Sequence, residues 1–193
     1  ARKNPADAIR AFRLALGDDP NARLVIHVRN GQQLSALVNA GDPDACAFAA
    51  LVEGEDRCLV VQGELDRPQA LGLLADADCY LSLHRSEGFG YSMAESMALG
   101  TPVVATAFSG NLEFCNNETA FLVEADMVRV TPGSYFSQET DMFWGQPDLA
   151  SAARRLEEVR CGQGVASRVE VARGLVAELY SLEAMAGRYA AAL

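Results

Sequence analysis

The stretch Ser86-Glu87-Gly88-Phe89-Gly90-Tyr91-Ser92-Met93-Ala94-Glu95-Ser96-Met97-Ala98-Leu99-Gly100-Thr101-Pro102 decides how this chain reads. Residues 78–83 before it form a short apolar run bounded by charge, as a buried strand would. Residues 92–99 are helix formers ending at Gly100, which puts Glu87 and Gly88 on a strand-to-helix turn. Glycines at 88 and 90 permit backbone angles that other residues avoid and let a ligand approach the main chain. The opening N–H groups of a helix lack partners within it, and the macrodipole adds partial positive charge, so a phosphate fits there. The dipole alone is worth about 0.3–1 kcal/mol, so hydrogen bonds and a cation must supplement it. The two carboxylates repel phosphate and accept from hydroxyls instead. Hydroxyls on both sides of a phosphate describe a sugar nucleotide.

Working outward, strands are expected at 23–28, 57–62, 78–83, 102–105 and 120–123. Helices are expected at 4–16, 32–39, 43–51, 67–75 and 92–99, with a short one from Asn111. Two more, at 147–159 and 167–189, flank an interruption around 161–164. Strands alternating with helices predict an α/β domain, a parallel sheet sandwiched by helices. Ligands in such sheets bind beyond the carboxyl ends of the strands, and Glu87 lies just past one. Residues 124–145 lose periodicity and carry Pro132, Gly133, Tyr135, Phe136, Phe143 and Trp144. A loop of about twenty residues is unusual in a compact domain, so the aromatics pin it or substrate uses it.

The chain has 193 residues, half of them apolar, enough for one globular domain with a substantial core. Sixteen basic against twenty-six acidic residues give a net charge of −10, which disfavours nucleic acid or an anionic bilayer as a partner. Cys46, Cys58, Cys79, Cys115 and Cys161 are odd in number and well separated, as expected of reduced thiols in a cytosolic protein. Only His27 and His84 are present and no Cys-x-x-Cys occurs, which speaks against zinc. No apolar run approaches the roughly 18 residues a membrane span needs.

The segment Glu87-Gly88-Phe89-Gly90-Tyr91, followed by Glu95-Ser96-Met97-Ala98 and by Gly100-Thr101-Pro102-Val103-Val104-Ala105, resembles the donor-binding signature of glycosyltransferase family 4. The resemblance continues through Ser109-Gly110-Asn111-Leu112-Glu113-Phe114 and 117–123, and reaches back to Arg2-Lys3-Asn4-Pro5. It covers most of residues 1–160. Leu83-His84-Arg85-Ser86 and Trp144-Gly145-Gln146-Pro147-Asp148 look like a subgroup associated with bacterial surface-polysaccharide (O-antigen or capsule) synthesis.

That resemblance implies the C-terminal, donor-binding half of a GT-B architecture, in which two Rossmann-like domains face a cleft. The whole chain, 1–193, would be this domain, with helices in 165–193 packing on an N-terminal half. A central strand and a phosphate-binding arginine would lie upstream of residue 1. The implied activity is metal-independent hexosyl transfer with retention, from a nucleoside-diphosphate sugar of GDP-mannose type to a saccharide or lipid-linked saccharide. No cofactor is implied. Localisation would be cytoplasmic, or peripheral at the inner membrane through the other half.

Residue by residue, Glu87 matches the catalytic-site glutamate that contacts the transferred sugar, and Glu95 the one that receives ribose hydroxyls. Lys3 matches the lysine that neutralises the diphosphate. Arg85 is a second candidate cation; the competing reading is a surface ion pair. Gly88, Phe89, Gly90, Tyr91 and Ser92 would act through backbone N–H groups, with the Phe89 ring in the core and Tyr91 replacing the usual leucine. His84 is a strand-end residue or a donor contact, and Asn111 and Glu113 lie on the turn after Ser109-Gly110. Gly63, Glu64, Leu65 and Asn30 follow strand ends where the base would sit. Trp144 reads as a loop anchor. The members of the family are thought to react on the front face of the sugar, with the departing phosphate assisting deprotonation of the acceptor. A nucleotide-sugar epimerase on the same fold, or a non-catalytic nucleotide-binding module, are the alternatives.

Overall fold

The computed structural model of the protein describes residues 2–131 and 141–191. The elements run α1 (Pro5–Leu16), β1 (Leu24–Val28), α2 (Gly31–Asn39), α3 (Pro43–Glu53), β2 (Cys58–Gln62), α4 (Arg67–Ala75), β3 (Tyr80–Ser82), α5 (Tyr91–Leu99) and β4 (Val103–Thr106). A 3-10 turn (Gly110–Glu113), β5 (Phe121–Val123), β6 (Ala125–Arg129), β7 (Phe143–Pro147), α6 (Leu149–Arg160), α7 (Val165–Tyr180) and α8 (Leu182–Ala191) follow.

The strands form parallel ladders, β1–β2 and β3–β4–β5, and one antiparallel pair, β6–β7. Helix α1 joins the two parallel ladders. Its Ala11 and Ala15 pack with Leu83, Val104, Phe121 and Ala152. Ile9, from another side of the same helix, packs with Phe48 and Cys58 beneath β1 and β2. Ile9 has no exposed surface, and burying such a side chain contributes about 1.5–3 kcal/mol. A third cluster joins α5 to α7 through Met93, Met97, Phe114, Ala172 and Val176. Helix α7 is therefore tied into the core of this domain.

Two expectations are corrected. The aperiodic stretch 124–145 contains the β6–β7 pair, in register from Ala125↔Pro147 to Arg129↔Phe143. Its strands carry Asp, Arg, Gly and Gln, so they lack an apolar signature and are held from outside. The Gly145 N–H donates to the Arg85 carbonyl (2.8 Å), and the Phe108 ring fills the space where a Cβ on Gly145 would stand. Pro132, Gly133, Tyr135 and Phe136 lie outside the described residues. Trp144 is buried against this pair and lies under the Arg85 guanidinium, 5.0 Å from it. The other correction is the helix expected at 167–189, which divides at Ser181. Ser181 takes extended backbone, and its Oγ accepts from the Ala184 N–H (3.2 Å), as a helix-starting cap does.

Candidate functional site

Strand β3 ends beside the glycine loop. Gly90 caps α5 with φ of +95°, a left-handed angle that a side chain resists, so this glycine is required by conformation. Gly88 has no such φ. A Cβ there would meet open space, and its role is to leave the main chain accessible. The Phe89 ring packs against Phe114 and Tyr180 at 5.1 Å each, in the core as expected. Tyr91 is three-quarters exposed at the first position of α5, its ring 5.0 Å from that of Phe89.

The Glu87 carboxylate, only 11% exposed, lies at the centre of a cluster of donors. Arg2 Nη1 reaches Oε1 at 3.2 Å and the Ser86 carbonyl at 3.1 Å, and Lys3 Nζ bonds Oε2. The Gly88 N–H adds a third donor at 3.2 Å. Burial pushes the Glu87 carboxyl upward, but the cations outweigh it and hold it below the ordinary carboxylate range. Local backbone bonds bring the cations there. Asn4 turns the chain with φ of +51°, and its Nδ2 donates to the Leu83 carbonyl (3.1 Å) and to Asp7 (2.8 Å). The Arg85 N–H donates to the Arg2 carbonyl (2.8 Å).

The loop is also clamped from its other side. Ser109 Oγ accepts the Glu87 N–H at 2.7 Å, and the Gly110 N–H donates to the Glu87 carbonyl at 3.0 Å. A Cβ on Gly110 would stand 1.8 Å from the Gly88 carbonyl oxygen, so only glycine allows the two loops to touch.

Glu95, one turn into α5, opens onto a cavity of about 370 Å³ lined by His27, Arg29, Glu64, Leu65 and Arg67 among others. It accepts from Arg67 Nη1 at 2.9 Å, and Arg67 is mostly exposed, so that partner is displaceable. Glu64 and Leu65 reach this cavity as expected of residues after the β2 end. Burial raises the Tyr80 pKa, and the charges of Glu87 and Glu95 add to the rise.

The profile of the family described as glycosyl transferases group 1 matches residues 9–130. The chain belongs to this family. Among solved structures, a glycosyltransferase from Rickettsia africae is 18% identical with a TM-score of 0.66, over 98% of this chain and 44% of that one. Sucrose-phosphate synthase from Thermosynechococcus elongatus is 21% identical with a TM-score of 0.66, over 98% and 42%. The C-terminal domain of the group 1 glycosyltransferase LpcC from Francisella tularensis is 18% identical with a TM-score of 0.64, over 94% and 81%. These likenesses show the fold, the Rossmann-like C-terminal half of a GT-B glycosyltransferase. The chain spans under half of the first two structures, and no curated protein matches it significantly.

Within this group 1 domain, other candidates of the sequence are directed elsewhere. Arg85 is bound by Gln146 Oε1 (2.9 Å) and Asp44 (3.2 Å) and stacked on Trp144, which is the ion-pair outcome. His84 is fully buried. Its Nε2 faces the Phe108 carbonyl and Asn111 Oδ1, both at 3.1 Å, so that nitrogen carries the proton and Nδ1 accepts from Ser82 Oγ (2.9 Å). Asn111 is likewise buried and braces the turn through the Thr106 carbonyl (3.1 Å). Arg2 and Ser109 join the site without being marked as candidates in the sequence. For Arg2 a signal existed, its place beside Lys3. Among the described residues no group of three His, Cys, Asp or Glu is placed to hold a metal ion, and no helix is long and apolar enough to cross a membrane.

Proposed function

We propose that this chain is the donor half of a retaining hexosyltransferase. It would move a sugar from a nucleoside-diphosphate sugar to a saccharide or lipid-linked saccharide acceptor, in bacterial polysaccharide synthesis. The observation that carries this is the Glu87 cluster: a carboxylate, Arg2, Lys3 and the Gly88 N–H gathered at the mouth of α5, with Glu95 on the adjoining cavity. On this reading Glu95 receives the ribose, Arg2 and Lys3 take the charge developing on the departing diphosphate, and Glu87 orients the sugar. No metal and no cofactor take part. The protein works at the cytoplasmic side, an N-terminal half supplies the acceptor wall, and the C-terminal helices pack on it.

Related folds support the ligand class: HepE from Anabaena was solved with UDP, and with UDP and glucose, and a pneumococcal O-GlcNAc transferase with UDP and GlcNAc. The neighbours solved with a nucleotide hold UDP, and a GDP-mannose preference finds no support among them. Calorimetry against UDP, GDP and ADP tests the proposal, with one clear winner expected. Transfer by the full-length protein should vanish in Glu87→Ala. A well-folded protein that binds none of the three nucleotides would overturn it.

A further inference from the structure

We infer that Ser109 is a positioning residue for the transfer step, acting through the main chain of Glu87; this rests on the donor-site function proposed above. Among the described residues only two other than glycine have positive φ: Ser109, which bonds Glu87, and Asn4, which follows Lys3, itself bonded to Glu87. Asn4 turns Lys3 toward the carboxylate, and Ser109 meets the Glu87 amide. At φ of +76° and ψ of −154°, Ser109 occupies a region that glycine accepts and a Cβ resists. Glycine would hold this backbone with less strain but would leave the Glu87 N–H without its acceptor at 2.7 Å. The side-chain oxygen is therefore what the strained conformation provides.

The turn bearing Ser109 is held by hydrogen bonds and packing. The buried His84 imidazole donates toward the Phe108 carbonyl and Asn111 Oδ1, and Phe108 packs on Gly145. Ser109 Oγ and the Gly110 N–H then grip both polar groups of the Glu87 peptide units. With its main chain fixed at two points, Glu87 swings only its side chain, between the cations and a sugar hydroxyl. Loosening the amide would spread the carboxylate over positions that miss the sugar, while the nucleotide, held by Glu95 and the cavity, would bind as before. Such positioning acts on the chemical step.

Ser109→Ala and Ser109→Gly in the full-length protein test this, with UDP-glucose and GDP-mannose as donor probes. Both variants should lower kcat at least tenfold with KM and free-nucleotide affinity within about threefold. The Glu87 amide should exchange with solvent more than tenfold faster, and Ser109→Gly should melt no lower than wild type. Wild-type kcat in Ser109→Gly, beside loss of transfer in Glu87→Ala, would overturn the inference and spare the donor-site function. Unchanged Glu87 amide exchange in both variants would also overturn it. Failure of wild type to bind either donor would instead sink the function itself.

Discussion

Arg2 Nη1 lies 3.2 Å from Glu87 Oε1, across a separation of 85 positions in the chain. With Lys3 on the other oxygen and the Gly88 N–H on the first, the carboxylate occupies donors that suit a diphosphate. If these donors take a diphosphate, as proposed, Glu87 competes with it. In Glu87→Gln, nucleoside diphosphate should bind about three- to tenfold more tightly, the return of partly exposed ion pairs, while sugar transfer is lost. Calorimetry of wild type and variant decides this; weaker binding in the variant would show that Glu87 assists the phosphates.

Glu95 faces the cavity and pairs with the exposed Arg67. If it receives ribose hydroxyls, Glu95→Ala should weaken a nucleoside diphosphate about tenfold, in line with loss of a charged hydrogen bond of about 1.5–3 kcal/mol. The same substitution should leave the 2′,3′-dideoxy analogue within twofold. Equal losses for both ligands would remove Glu95 from the ribose.

Gly110 and Gly72 should respond in opposite directions to alanine. Gly110→Ala forces a Cβ against the Gly88 carbonyl, backbone that has to move, and should destabilise by about 1–3 kcal/mol while disabling the glycine loop. Gly72 lies inside α4 with nothing near the added methyl, so Gly72→Ala should stabilise by about 0.5–1 kcal/mol. Urea unfolding of both variants measures the difference.

Stability should fall in two stages on acidification. Glu55 shares the second with Glu87 and Asp7, whose carboxyls are also held below the ordinary range, so that removing Glu55 reduces that stage without abolishing it. Burial depresses the His84 pKa below its ordinary 6.5, so below that pH the unfolded chain takes up a proton first and folding stability is lost. The hydrogen bonds from Arg57 lead in holding Glu55 down at about 2, with Arg13 adding to them. Its contribution is full above 4.5 and drains away as pH falls from 4.5 toward 2. Unfolding curves at pH 7.5, 5.5 and 3 should show both stages, and Glu55→Gln should make the second shallower while leaving the first unchanged.

How much was legible in the chain depends on the range of the interactions. The β3–loop–α5 unit is local: a buried strand, a left-handed glycine at Gly90, helix formers and a second left-handed glycine at Gly100 all act within a few residues of one another. Lys3 was found through resemblance. Arg85 stands open in the sequence between a phosphate cation and an ion pair, because nothing local marks its stacking on Trp144, 59 residues away in the chain. The β6–β7 pair escaped because its ladder is stabilised by Arg85 and Phe108, not by its own apolar pattern.

By itself the sequence determined the helices, the parallel strands and the glycine turn with its two carboxylates, since periodicity, capping and backbone permissiveness are properties of neighbouring residues. Only the tertiary structure decided that Arg2 and Lys3 close on Glu87 and that Ser109 grips its amide. Each of those contacts joins segments distant in the chain. Such contacts exist only because α1 packs across both ladders and two strained residues, Asn4 and Ser109, turn the backbone inward.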